Sequence, residues 1–217
     1  MKLLLTSNGL VNESITKALF DLVGKRPEET SLVFVPTASN IETGDKTWVI
    51  DDLINVKRQN FKSISIADIS AVPEDVWRPQ FEGADVIFFE GGDSYHLMQW
   101  LTKSGLEKVL PELLQTKVYV GISAGSMIAG PDLDLRLSKV IYGERAEEKS
   151  VVGLGYVDFY FLPHLNSPEF AVRTEDTVRE AMGKVTRKTY VLDDQSALKV
   201  VDSTVEVVGG GKYLEFN

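Results

Sequence analysis

Lys117-Val-Tyr-Val-Gly-Ile-Ser-Ala-Gly-Ser-Met-Ile-Ala-Gly130 carries the clearest signal in the chain. Lys117–Val120 reads as a short apolar strand. It runs into Gly121-Ile122-Ser123-Ala124-Gly125, and small residues follow at helical pitch. A G-x-S-x-G block between a strand and a helix is the pattern of a nucleophile elbow. The turn is so sharp that the central residue, Ser123, is expected in a strained backbone conformation. Glycines two residues to either side leave room for the chain to fold back. The hydroxyl then stands at a helix N-terminus, where backbone N–H groups can receive a developing oxyanion. The competing reading is a glycine-rich turn in which Ser123 only caps the helix. Ser126, one turn later, is a rival hydroxyl without the strained position.

Upstream, apolar strands alternate with amphipathic segments. Strands are expected at Lys2–Thr6, Ser31–Val35, Lys62–Ile66 and Ala84–Phe89. Helices are expected at Asn12–Val23, Thr43–Lys57, Glu74–Phe81, Ser94–Leu101 and Leu106–Gln115. Trp48, Ile50, Leu53 and Ile54 are the apolar members of the second helix, and Asp93 stands as N-cap of the fourth. Near-continuous apolar strands alternating with helices predict a doubly wound, mostly parallel sheet with helices on both faces, an α/β fold. Ligands in such folds gather at the carboxyl ends of the strands. Three turns there have suitable chemistry: Thr6–Gly9, Glu90–Asp93 and Gly121–Gly125.

Beyond the elbow, 132–136 and 143–150 read as polar loops, and Tyr156–Leu162 as an aromatic strand ending at Pro163-His164. Glu169–Met182 reads as an amphipathic helix. Thr189–Leu192, Ala197–Val201, Thr204–Val208 and Lys212–Phe216 read as short strands, the last pairs as hairpins. With no linker or repeat, residues 1–217 are expected to form a single domain.

The 217 residues carry a net charge of −9, which argues against nucleic acid and anionic membranes as partners. No cysteine is present, so disulfides, thiolate metal sites and a cysteine nucleophile are excluded. No run is long enough to span a membrane, and Met1–Leu10 is too short an apolar stretch for a signal peptide. A cytoplasmic location is the expectation.

A serine needs a base to take its proton, and histidine is the usual one. The chain has two histidines. His164 follows a strand in a turn restrained by Pro163 and Pro168, and it is the candidate base. His96 sits within an expected helix and is the alternative. Two separated histidines and no cysteine give no recognisable metal-ligand set, and no cofactor is expected. The base needs an orienting acceptor. Asp193 and Asp194 lie between two strands, and because neighbours on an extended chain face opposite ways, only one can face His164. The N–H of Ala124 is one candidate oxyanion donor, and Gly91-Gly92-Asp93 offers the other.

Three blocks together resemble the cytosolic serine peptidases that include dipeptidase E and the cyanophycinases. They are Phe89-Glu-Gly-Gly-Asp-Ser94, Gly121-Ile-Ser-Ala-Gly-Ser126 and Leu162-Pro-His-Leu-Asn166. The resemblance implies a sheet related to class I glutamine amidotransferases, with serine replacing their cysteine. It implies the order Ser123, His164, acid, which differs from that of α/β-hydrolases. The family acid, usually glutamate, falls on Asp194 here, with Asp193 and Glu175 as alternatives. Gly92 and Ala124 would form the oxyanion hole. Asp93 and Arg173 would contact a small-peptide substrate, and the chain would act as a monomer or homodimer. The rivals are another hydrolase or acyl transferase on the same site, and a non-catalytic binding module.

Overall fold

A computed structural model describes residues 1–133, 151–183 and 185–217. Most of the two polar loops expected after the elbow lies outside the described residues.

The first half of the chain is a series of strand–helix units. In order these are β1 (Lys2–Thr6), α1 (Glu13–Val23), β2 (Ser31–Val35), α2 (Thr37–Asn40), α3 (Thr47–Lys57), β3 (Ser63–Ile66), α4 (Glu74–Gly83) and β4 (Val86–Phe89). Then come α5 (Ser94–Ser104), α6 (Leu106–Leu113), β5 (Val118–Ile122) and α7 (Ala124–Met127). Local chemistry sets several of these ends. Asn12 Oδ1 accepts the Ile15 N–H at 3.0 Å to start α1, and Gly24, at φ 73°, ends it in the left-handed region. Asp93 caps α5 as the sequence predicts, accepting the His96 N–H at 2.8 Å.

The main sheet has seven strands in the order β11-β10-β1-β5-β4-β2-β3. β1 to β5 are mutually parallel, while β10 (Ser196–Val201) and β11 (Thr204–Gly209) add an antiparallel hairpin beside β1. Strand alternation divides the core in two. Leu3, Leu5, Val33, Val35, Ile87, Phe89 and Tyr119 pack with Trp77 and Phe81 of α4 and with Leu97, Leu101, Leu106 and Leu110 of α5 and α6. Leu4, Leu32, Phe34, Val86, Phe88 and Val120 face the other way, onto α1 and α3. Burial of both faces is what makes these strands read as unbroken apolar runs.

The remaining described strands are β6 (Asp132–Leu133), β7 (Val151–Val152), β8 (Tyr160–Leu162), β9 (Thr189–Leu192) and β12 (Tyr213–Phe216). α8 spans Glu175–Met182. A small sheet runs β12-β9-β8, with β8 and β9 parallel. The C-terminal hairpin region is therefore half as expected: β10 and β11 pair as a hairpin, but β12 pairs with β9 instead of β11. The aromatic strand shrinks to Tyr160–Leu162 and the amphipathic helix to Glu175–Met182. The residues freed ahead of the helix, 169–174, extend the loop that carries His164. In α3 the expected apolar face is also displaced: Asp52 and Val56 are buried, while Ile50 and Ile54 are 55% and 39% exposed.

Candidate active site

The parallel arrangement sends the ends of β1, β4 and β5 out at one edge of the sheet. Thr6 pairs with Ile122, and Phe89 with Gly121, so Ser7, Gly91 and Ser123 leave adjacent strands together. Ser123 has φ 46° and ψ −105°, the strained backbone the elbow demands of a non-glycine residue. Its glycines are sterically required. A Cβ on Gly121 would lie 2.4 Å from the Gly125 carbonyl carbon, and one on Gly125 would lie 2.3 Å from the Phe89 carbonyl oxygen. The Ser123 N–H donates to Thr6 O at 3.0 Å, which anchors the turn to β1. Ser126 is fully buried, and its hydroxyl lies 2.8 Å from both Thr6 O and Gly121 O, so it serves the backbone of the elbow. Ala124 opens α7, the position whose N–H has no intrahelical acceptor.

Gly91 lies against the elbow: its Cβ position is 3.4 Å from Ser123 Cβ and 3.7 Å from the Trp48 ring of α3. Gly92, at φ 122°, has no room for a side chain, because a Cβ would meet Ala38 O at 2.4 Å. This turn is docked on α2, with the Asp93 N–H donating to Ala38 O at 3.0 Å. Asp93, beyond its capping role, lines a groove with Tyr95, His96 and Gln99.

His164 and Asp194 follow the parallel neighbours β8 and β9, and meet at Nδ1–Oδ1 2.6 Å. The Leu165 N–H donates to Leu192 O at 2.9 Å and locks one loop to the other strand. Asp193 points away, as alternation requires; its carboxylate accepts from the N–H groups of Gln195 and Lys212 and lies 2.9 Å from Ser196 Oγ. Glu175 instead pairs with Arg179 at 2.7 Å and Lys212 at 3.6 Å. Of the three acids, the structure brings Asp194 to His164.

His164 is buried and holds φ 65°, a left-handed conformation. Its ring stacks on Phe170 with centroids 4.4 Å apart and a 19° interplanar angle. The guanidinium carbon of Arg173 lies 3.7 Å from the Phe170 ring centroid. Arg173 is 2% exposed, with Nη1 3.4 Å from Pro163 O. Burial lowers the His164 pKa below 6.5, against the opposing pull of Asp194 and with help from the Arg173 charge. Burial alone would raise Asp194, but its bond to His164 and the His164 charge, with Ser167 and Ser7, hold it below the usual value.

Ser7 was missed in the sequence. It is fully buried; its hydroxyl accepts the His164 N–H at 2.7 Å and donates to Asp194 Oδ1 at 3.0 Å. It occupies the Thr6–Gly9 turn, so the position at a strand's carboxyl end was visible, but the partners were not. Among the described residues, no three His, Cys, Asp or Glu side chains form a group able to hold a metal ion.

The family model for peptidase family S51 matches residues 3–208. The chain belongs to peptidase family S51. It is thereby a serine-type peptidase. It is 26% identical over 186 residues to an uncharacterized peptidase of Pasteurella multocida, covering 85% of this chain and 88% of that protein. It is 34% identical over 134 residues to Peptidase E of Shewanella amazonensis, covering 61% and 52%. In fold it matches a crystal structure of a Listeria monocytogenes protein provisionally named Peptidase E, with TM-score 0.74, 24% identity, and 95% and 96% of the two chains covered. A peptidase from an acI-B1 Actinobacterium matches with TM-score 0.73 and 20% identity over 98% and 88%. Both structures are likenesses of fold. They agree with the doubly wound α/β sheet read from the strand–helix alternation.

Proposed function

We propose that Ser123 attacks the carbonyl of a small peptide, with His164 as general base and Asp194 as its orienting acid. The carrying observation is the 2.6 Å His164 Nδ1–Asp194 Oδ1 contact, in a loop bonded to Ser7 at the end of β1. In this reading His164 donates its Nδ1 proton to the ionised Asp194, and Nε2 is the basic atom. Burial keeps the imidazole neutral at neutral pH, ready to accept a proton.

As the serine oxygen bonds to the carbonyl carbon, its proton passes to His164 Nε2. The N–H groups of Ala124 and Gly92 receive the oxyanion. His164 then protonates the leaving amine, the C–N bond breaks, and the acyl group stays on Ser123. A water, deprotonated by His164, releases the acid and restores the serine.

Asp93 faces the open groove and is the nearer candidate for contact with substrate polar groups. Arg173 belongs to the same reading through the His164 loop, although its stack on Phe170 also props the base. Among the described residues no helix is long and apolar enough to cross a membrane. The cysteine-free sequence supports a cytoplasmic setting, with the protein acting as a monomer or homodimer.

Incubation with a dipeptide library, followed by amine release, tests the reading. Ser123→Ala is expected to lower kcat by about 10⁶-fold. A serine-directed fluorophosphonate should label Ser123 in the wild type. Full activity in Ser123→Ala, or no labelling of Ser123, would refute this assignment.

A further inference from the structure

A second pair of acids lies beneath the same edge of the sheet and takes no part in the chemistry above. Glu90 follows β4 and, by alternation, faces the α1–α3 side with Val86 and Phe88. It is fully buried, and among the described residues no donor meets either carboxyl oxygen at hydrogen-bond geometry. Asp52 of α3 is 6% exposed, and its Oδ1 and the Ile122 side chain crowd the same spot, 3.3 Å and 2.9 Å from the Cβ position of Gly9. Phe89 pairs with Gly121, so Glu90 stands beside Ile122 on that face, and the Asp52 carboxyl reaches the Glu90 carboxyl there. No salt bridge reaches either acid among the described residues. Two ionised carboxylates would offer each other only acceptors. One proton between them supplies the missing donor.

We propose that Asp52 and Glu90 share one proton through neutral pH, and that this carboxyl–carboxylate bond ties α3 to the Gly91–Gly92 turn and holds that turn against Ser123. The link is short in both directions. Glu90 immediately precedes Gly91, whose Cβ position is 3.4 Å from Ser123 Cβ. Trp48 lies one helical turn before Asp52, on the same side of α3, and its ring is 3.7 Å from that Cβ position.

The titration supports the geometry. Burial, then the charge of Asp52 and the bond with it, push Glu90 well above the ordinary carboxyl range. Burial raises Asp52 to about 7, with the Asp51 charge adding to it and the Glu90 bond opposing it. Both shifts favour a retained proton, so the pair gives up its protons at higher pH than free carboxyls do. Asp51, on α3, is the further charge bearing on the pair. Gly9 after β1 and Ile122 of β5, which pack beside Asp52, bring none.

The positioning role rests on the serine-peptidase assignment of the site; the shared proton does not. Infrared difference spectroscopy at neutral pH is expected to show a protonated-carboxyl C=O band in the wild type that Glu90→Gln abolishes. Absence of that band overturns the proposal whatever the catalytic result. The second readout is the rate at which a fluorophosphonate labels Ser123. In the wild type it should fall about tenfold as the band is titrated away, the size expected for losing one positioning bond. Glu90→Gln, whose amide donates at every pH, should keep its rate across that range. Glu90→Leu, with no donor, should label about tenfold slower already at neutral pH. Superimposable pH profiles for wild type and Glu90→Gln would overturn the positioning role. If wild-type Ser123 does not label at all, the nucleophile assignment falls, and the infrared band alone then decides the pair: present, it supports the shared proton; absent, it overturns it.

Discussion

Asp194 is half-buried and the Asp52–Glu90 pair buried, both at the elbow end of the sheet, yet they titrate in opposite directions. Asp194 accepts from Ser7 and meets His164 at 2.6 Å, so donors outweigh burial and its pKa is lowered. Glu90 faces another carboxyl, and the small opposing pull of the Gly91 backbone does not offset burial, so its pKa is raised. Burial costs both sites; what separates them is the supply of donors. The first arrangement yields a fixed charge that can orient and stabilise an imidazolium. The second yields a shared-proton bond that can hold two elements together.

The sharpest way to break the contrast is to remove the charge from the first site. Asp194→Asn keeps the size of the side chain but no longer dictates the tautomer of His164, and kcat should fall by about 10⁴-fold. The pH profile gives an independent sign. Protonation of His164 disables the base, so the wild-type acid limb of kcat/KM should lie below pH 6.5. Asp194 opposes that lowering, so its loss should move the limb lower still. A limb displaced upward in Asp194→Asn would contradict the electrostatics described for the site.

The second site should reveal itself in stability. Asp52 has its pKa raised in the folded chain, from 3.8 to about 7. Below 3.8 it is protonated folded or unfolded and contributes no pH dependence. Between 3.8 and about 7 the folded state binds more protons than the unfolded state, so stability falls as pH rises. The full shift corresponds to roughly 4 kcal/mol at most, shared with Glu90. Asp52→Asn removes this dependence. Urea unfolding across the window should show the variant gaining on the wild type with each step up in pH, and parallel curves would remove the contrast with Asp194.

These two sites also mark how far the sequence could be read. The central parallel strands β1, β2, β4 and β5 were legible because they are buried on both faces, and β1, β2 and β9 have the predicted bounds. The elbow was legible because its chemistry is local: Gly121, Ser123 and Gly125 fix one another within a few residues. Choosing Asp194 over Asp193 and Glu175 leaned on the family resemblance, and strand alternation gave only that one aspartate could face His164. Asp52 defeated periodicity, since a carboxylate within an apolar stretch reads as exposed until its partner on another element is known. The aromatic props of His164 were hidden for the same reason. Phe170 and Arg173 lie where a helix was expected, and only the loop brings them back over the ring.

Ser7 is the smallest of these effects and the finest test of the Asp194 side of the comparison. Its single hydroxyl joins three chain segments: the end of β1, the backbone of His164 and the carboxylate of Asp194. Ser7→Ala removes one donor to Asp194 and strands the His164 N–H in a buried setting. Leaving such groups unpaired costs about 1–3 kcal/mol. If that cost falls on the orientation of the base, kcat should drop by roughly 10- to 100-fold with little change in KM, because substrate contacts are untouched. The acid limb should shift only slightly, since the His164–Asp194 contact remains. A rise in KM at constant kcat would move Ser7 from the support of the base to the binding of substrate. An unchanged enzyme would mean that the Asp194 site, unlike the Asp52–Glu90 pair, holds its geometry without that donor.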